Sequence, residues 1–75
     1  MTNYKIDLVI SKDENGYVAY CPALEGCITQ GDSYEEVLEH AQKAVELYLS
    51  TMTPSEISEV VSREILTTSL PVQVA

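Results

Sequence analysis

The period of the hydrophobic pattern changes from two to about 3.6 at Ser33, and this change most constrains the fold. Before Ser33, apolar side chains alternate with polar ones over residues 4–10, as in a half-buried strand, and β-favouring residues follow at 17–21. After it, apolar residues recur at every third or fourth position, as in an amphipathic helix. A chain of 75 residues is short enough to fold around one core. We therefore expect residues 1–75 to form a single α+β domain.

Three strands are predicted before Ser33. Val9 is the one exception to the alternation in the first strand. Asn15 and Gly16 then form the strongest short signal for a hairpin, and Pro22 ends the second strand because it has no amide hydrogen. We therefore expect a three-stranded antiparallel meander. Its strands are predicted at residues 4–10, 17–21 and 27–30.

Two helices are predicted to follow the meander. Ser33 and Glu36 have the spacing of a capping box, and a helix of about four turns with one apolar stripe follows them. Thr53 and Glu56 repeat this spacing around a proline, which predicts a short second helix that ends near Arg63. The stripe of the first helix consists of Val37, Leu38, Ala41, Ala44, Val45, Tyr48 and Leu49.

A fourth strand is predicted from Ile65 onward, where the alternation returns. The preceding helices permit a crossover that lays this strand parallel to the first one. Pro71 lies within the segment and favours an edge position, since it cannot donate to a ladder. The apolar positions of this segment are Leu66, Leu70, Val72 and Val74.

The charge balance is strongly acidic and excludes several classes of partner. The chain has 12 Asp and Glu against 4 Lys and Arg, a formal net charge of -8. Direct binding of nucleic acid needs a basic surface, so we expect none. A basic protein is the partner that such a charge attracts. We also expect a cytoplasmic protein without membrane contact, because neither a bilayer-spanning stretch nor a signal peptide is recognisable.

The residues that bind metals or act in catalysis do not form a recognisable constellation. Cys21 and Cys27 with the distant His40 are too few ligands for a zinc site, so we expect free thiols and a solvated histidine. A metal-dependent nuclease would need several converging carboxylates. Asp7 has no matching set on later strands, and Asp32 and Glu36 have capping roles. We therefore expect neither enzyme activity, nor a cofactor, nor a bound metal.

An interaction surface is the remaining functional hypothesis. Tyr17 and Tyr20 are an odd number of residues apart, so at least one of them faces away from the core. A tyrosine on an uncovered sheet face is typical of protein interfaces. We predict an interface that includes Tyr17, Tyr20, Glu35 and Glu39. Exposed tyrosines and an edge strand also predict self-association, at least as a homodimer.

Residues 16–33 have the sequence GYVAYCPALEGCITQGDS, and residues 35–38 have the sequence EEVL. In these two segments the chain resembles the HicB family of antitoxins, which belong to HicA–HicB toxin–antitoxin systems. The family pattern is roughly GY-x-A-x-x-P-x-L-x-G-C-x-T-x-G-D-T-x-E-E-A, and the looser match covers about residues 4–50. Ser33 replaces the usual Thr and Val37 the usual Ala, with their capping and packing roles kept. The resemblance implies a partial ribonuclease H-like fold without its catalytic carboxylates.

The resemblance also implies a partner and a function. The partner of such an antitoxin is a HicA-type toxin, a small and typically basic protein that cleaves mRNA. We expect the chain to bind and occlude such a toxin as the antitoxin of a type II system. It resembles a short form of the family, without the DNA-binding segment that many members append. The alternative is an orphan HicB-like homo-oligomeric regulatory protein that has no toxin partner.

Overall fold

The computed structural model describes residues 4–75, which form a three-stranded antiparallel sheet followed by two helices. This architecture confirms the predicted α+β class. No helix within residues 4–75 has the length and apolar character needed to cross a membrane. The elements in chain order are β1 Val9–Asp13, β2 Gly16–Tyr20, β3 Ile28–Gly31, α1 Tyr34–Ser50 and α2 Pro54–Val61.

The sheet has the order β1-β2-β3, so β2 is central and β1 has a free edge in the described chain. The Asn-Gly signal correctly predicts a hairpin here, but Asp13 lies opposite Gly16, so the two loop residues are Glu14 and Asn15 and Gly16 belongs to β2. The Asp13 carboxylate accepts a hydrogen bond from the backbone amide of Asn15 at 2.8 Å. Gly16 has a φ of 127°, a left-handed conformation that favours glycine. Local turn chemistry therefore sets the register of the hairpin.

The core lies between one face of the sheet and α1. Ala19 packs there against Val37 and Ala41, and these three side chains are buried. A second cluster lies beside it, with Val45 against the loop that joins β2 to β3. The buried loop residues in this second cluster are Cys21, Leu24 and Cys27. The stripe of α1 and the odd-numbered positions of β2 thus form the core, as the two periods indicate.

Both predicted N-caps are present, but the capping box is complete only at α2. The Ser33 hydroxyl accepts a hydrogen bond from the amide of Glu36 at 3.1 Å, and the Glu36 carboxylate accepts one from the amide of Asp32 at 2.8 Å. Thr53 and Glu56 form the complete capping box of α2. Backbone hydrogen bonding by Thr53, followed by its side-chain hydrogen bond, holds the pKa of the Glu56 carboxyl below its ordinary value.

The limits of β1 differ from the prediction. The sequence predicts a first strand at residues 4–10, but β1 covers Val9–Asp13. The turn fixes Asp13 opposite Gly16, and a β2 of five residues can pair only with the five residues before the turn. Within residues 4–8 the apolar side chains of Ile6 and Leu8 still pack against the core. The alternation in this segment therefore reflects burial on one side and not pairing with a neighbouring strand.

The predicted fourth strand is not confirmed. Within the described chain, residues 64–75 have no strand assignment and no ladder partner. The apolar side chains of this segment are also exposed, at 82% for Leu66, 77% for Leu70, 84% for Val72 and 94% for Val74. The predicted alternation is present, but a strand also needs a neighbour to accept its hydrogen bonds.

Candidate protein-interaction face

An apolar row crosses the sheet on the face opposite α1. Val9 lies opposite Tyr20 in the β1–β2 ladder, and Tyr20 lies opposite Ile28 in the β2–β3 ladder. Side chains of directly opposed residues stand on the same face about 5 Å apart. The three residues therefore form a continuous row over all three strands, which we call the open row.

The open row is accessible to a partner. Tyr20 is 45% exposed and Ile28 is 63% exposed, and the two residues form the terminal pair of the β2–β3 ladder. Leu47 of α1 is 71% exposed and lines a shallow groove together with Ile28. The apolar surface thus extends from the open row around the edge at β3 to the C-terminal half of α1. An extended apolar surface of this kind marks an interaction site more often than a scattered exposed leucine does.

Acidic side chains dominate the charge of the exposed surface. Every Asp and Glu is exposed except Glu36, which is half-buried by its role in the α1 cap. Two of the four basic side chains have partners within the chain. Lys43 pairs with Glu39 at 3.3 Å, and Lys12 lies 5.4 Å from the centre of the Tyr17 ring. The negative charge of the surface therefore remains largely uncompensated.

The structure separates the four predicted interface residues. Tyr20 belongs to the open row, whereas Tyr17 lies on the α1 side of the sheet and packs against the core. The Tyr17 ring meets the ring of Tyr34 edge-on, with centroids 6.4 Å apart. Glu35 and Glu39 lie on the exposed surface of α1. The parity argument, that at least one of the two strand tyrosines faces away from the core, therefore holds for Tyr20.

Sequence reasoning missed Val9 and Ile28 of the open row and the neighbouring Leu47 of α1. Val9 carried a usable signal, because it is the apolar exception in an otherwise alternating strand. Ile28 and Leu47 carried weaker ones, since each is an apolar residue beside a core position. Which of them meet across strands depends on the register of both ladders, and composition gives no information on that register.

The two cysteines and the histidine make contacts within the fold. Cys21 and Cys27 are free and buried, and the amide of Cys21 donates to the carbonyl oxygen of Cys27 at 3.0 Å. Burial raises the pKa of the Cys27 thiol above its ordinary value, and the neighbouring Cys21 raises it further. His40 is exposed, with Nδ1 at 2.6 Å from the carbonyl oxygen of Gln30 in β3. Within residues 4–75 no three His, Cys, Asp or Glu side chains group as metal ligands.

Comparison with known proteins identifies the family. The model of the HicB-like antitoxins of bacterial toxin–antitoxin systems matches residues 4–69. The chain belongs to this family. It is 51% identical over 53 residues to a UPF0150 protein of Helicobacter pylori, covering 71% of this chain and 74% of the relative. It is 40% identical over 63 residues to a UPF0150 protein of Archaeoglobus fulgidus, covering 83% and 91% of the two chains.

No solved structure matches the chain at a significant level. The ribonuclease H-like relationship that the sequence resemblance implies is therefore not confirmed, in keeping with the missing ladder of the fourth strand. Membership of the antitoxin family supports an antitoxin role for this protein.

Proposed function

We propose that this protein neutralises a HicA-type mRNA-cleaving toxin by covering it with the open row. The observation that carries this proposal is the alignment of Val9, Tyr20 and Ile28 on an uncovered sheet face. No described residue of the chain packs over Tyr20 closely enough to bury it, and a partner surface would. The family model supports the antitoxin role, and the toxin as its target is our proposal.

Tyr20 is the central contact of the proposed interface. It stands in the middle of the row, and tyrosine combines a large apolar ring with a hydroxyl that can bond to a partner. Residues of this type dominate binding energy when they lie at the centre of an interface, with about 2 kcal/mol or more lost on truncation. Val9 and Ile28 on either side exclude water from the contact.

The acidic surface contributes mainly to recognition. Glu35 and Glu39 lie on α1, and the formal charge of -8 extends over the whole molecule. Opposite charges accelerate the encounter with a basic toxin more than they strengthen the final complex. The ring of Tyr17 lies at the α1 side of the sheet, so in this proposal it supports the first turn of α1 beside Glu35.

The direct test is inhibition of RNA cleavage by the toxin encoded beside the gene. We expect the wild-type protein to abolish cleavage at equimolar concentration. Tyr20→Ala should weaken the complex about 30-fold or more, as expected for a central tyrosine. Tyr34→Ala is the matched control, because Tyr34 is 49% exposed and lies away from the open row. Unchanged cleavage at saturating wild-type protein would overturn the proposal for that toxin.

The orphan regulator is the alternative function. It is favoured by one outcome, in which no toxin gene adjoins this gene and the purified protein forms a stable homo-oligomer through the open row. A loss of this oligomer in Tyr20→Ala would then assign the row to self-association. Inhibition of the toxin that is lost in Tyr20→Ala and retained in Tyr34→Ala would exclude it.

A further inference from the structure

Two unsatisfied elements of this chain complement each other. The first is the tail, which we define as residues 65–75 and which has neither a strand assignment nor a ladder partner in the described chain. The second is the free edge of β1, together with residues 4–8 that precede this strand. Residues 4–13 and residues 66–74 each span about 30 Å at the rise of a strand. The two elements therefore match in length, and each can serve as the strand partner that the other lacks.

A groove lies along this edge, lined by apolar residues and also by Lys5, Asp7, Gln42 and Glu46. It has a volume of about 710 Å³ and runs between residues 4–8 and α1. Its apolar lining includes Ile6, Leu8, Leu38 and Leu49. A strand laid beside residues 4–8 would direct one of its two faces toward this lining. The tail has such a face, with Leu70, Val72 and Val74 at alternating positions.

We propose that the tail of one molecule fills the groove of a second copy, so that two copies exchange their tails in a symmetric dimer. A reciprocal exchange of this kind pairs the β1 edge of each copy with the tail of the other and closes the assembly. Pro71 fits the arrangement, since its missing amide hydrogen is tolerated where that side of the backbone faces solvent. The dimer is independent of the proposed toxin contact, which uses the opposite face of the sheet.

The charges favour a second copy as the occupant. The tail contains no charged side chain, so all 12 acidic residues lie before residue 65. A basic protein would be drawn to the acidic body and would gain no charge contact from the tail. An uncharged apolar strand can instead enter the groove of another acidic copy without adding like charges to it.

The tail projects from the body of the chain and leaves its own groove open. The radius of gyration is 14.5 Å and the longest dimension is 49 Å. A compact domain of this length has a radius of gyration of about 11 Å. The large apolar side chains of the tail from Leu66 to Val74 are each at least 77% exposed. They therefore do not lie in the groove of their own molecule.

Sedimentation equilibrium of the full chain tests the dimer. We expect a dimer at micromolar concentration and a dissociation constant at least about 10,000-fold higher for the double variant Leu70→Glu, Val72→Glu, since the dimer buries two tails and each buried Leu or Val changes an equilibrium at least about tenfold. The matched control is Ser69→Glu, Gln73→Glu, which adds the same charges on the opposite face of the tail. Circular dichroism confirms that both variants keep their helices. A monomeric wild type, or equal weakening by both variants, would overturn the proposal.

Isotope-filtered NMR decides which copy supplies the tail. A mixture of labelled and unlabelled protein is refolded together, so that half of the dimers contain both forms. We expect intermolecular contacts between the methyl groups of Leu70 or Val72 and those of Leu38 or Leu49. Contacts within one labelled molecule alone would place the tail in its own groove and overturn the exchange. Toxin inhibition is measured on the same samples, so failure of the dimer and failure of the proposed function remain distinguishable.

Discussion

Gly31 lies against the first turn of α1 so closely that a Cβ atom on it would stand 2.6 Å from the backbone nitrogen of Val37. The same atom would stand 2.9 Å from the Cα atom of Val37, so only backbone surrounds the position. Gly31 ends β3 and Val37 is the most buried residue of α1. The absence of a side chain at Gly31 thus sets how closely the helix approaches the sheet.

Gly31→Ala should destabilise the fold by about 1–3 kcal/mol, since the added methyl group must displace α1 from β3. Urea denaturation followed by circular dichroism measures the loss. Gly26→Ala is the control, because a Cβ atom at Gly26 meets nothing within 4 Å and only its positive φ of 78° opposes the substitution. A larger loss at Gly26 than at Gly31 would contradict the steric explanation.

Thr29→Val should stabilise the protein by about 1 kcal/mol. Thr29 lies opposite Ala19 on the face of the sheet that α1 covers. Its Oγ1 atom is buried and has no hydrogen-bond partner within residues 4–75. Replacing an unsatisfied hydroxyl by a methyl group of the same shape removes a desolvation cost of about 1–3 kcal/mol. Thermal unfolding measures the gain. Thr29→Ser keeps the hydroxyl and loses the methyl group, so it should lower the melting temperature.

Local signals predicted part of this fold and long-range pairing determined the rest. Ser33 and Glu36 lie three residues apart, so their cap depends on nearby residues alone and was predicted correctly. The alignment of Val9 with Ile28 depends on two ladders, and nothing in either residue's neighbourhood encodes it. The tail shows the same limit, because its alternation predicts a strand but does not specify the edge that it joins.

The stability of the protein should decrease as the pH rises from about 8 to about 10, in part through Cys27. Burial raises the pKa of this thiol in the folded state, and the adjacent Cys21 adds to the effect. A raised pKa means that folding favours the protonated thiol, so the stabilisation is complete at lower pH and is lost as the pH passes through the folded pKa. Urea denaturation at a series of pH values measures this slope.

Cys27→Ala serves as the reference for the pH series, since tyrosines and lysines also titrate in this range. The free energy of unfolding of the variant should fall less steeply with rising pH than that of the wild type, whatever its value at neutral pH. Slow alkylation of Cys27 by iodoacetamide in the folded protein is a second readout, because the thiolate is the reactive form. Equal slopes for the two proteins would contradict the assignment to Cys27.

The two proposed contacts should respond to salt in opposite directions. Raising the ionic strength from about 0.05 to 0.5 M shortens the screening length from about 14 to about 4 Å. Two copies of this chain each carry a formal charge of -8 and repel one another, so the tail-exchanged dimer should become tighter. Association with a basic toxin should become slower, because screening removes the attraction that steers the encounter.

Sedimentation equilibrium measures the dimer and stopped-flow mixing measures toxin association at the same two salt concentrations. Leu70→Glu, Val72→Glu should abolish the first response and leave the second, because the altered residues lie in the tail. Tyr20→Ala should leave the dimer and its salt response intact, because Tyr20 lies on the opposite face of the sheet from α1 and the groove. If one variant removed both contacts while circular dichroism showed an intact fold, the dimer and the toxin would share one surface, and the separation of groove and open row would be wrong.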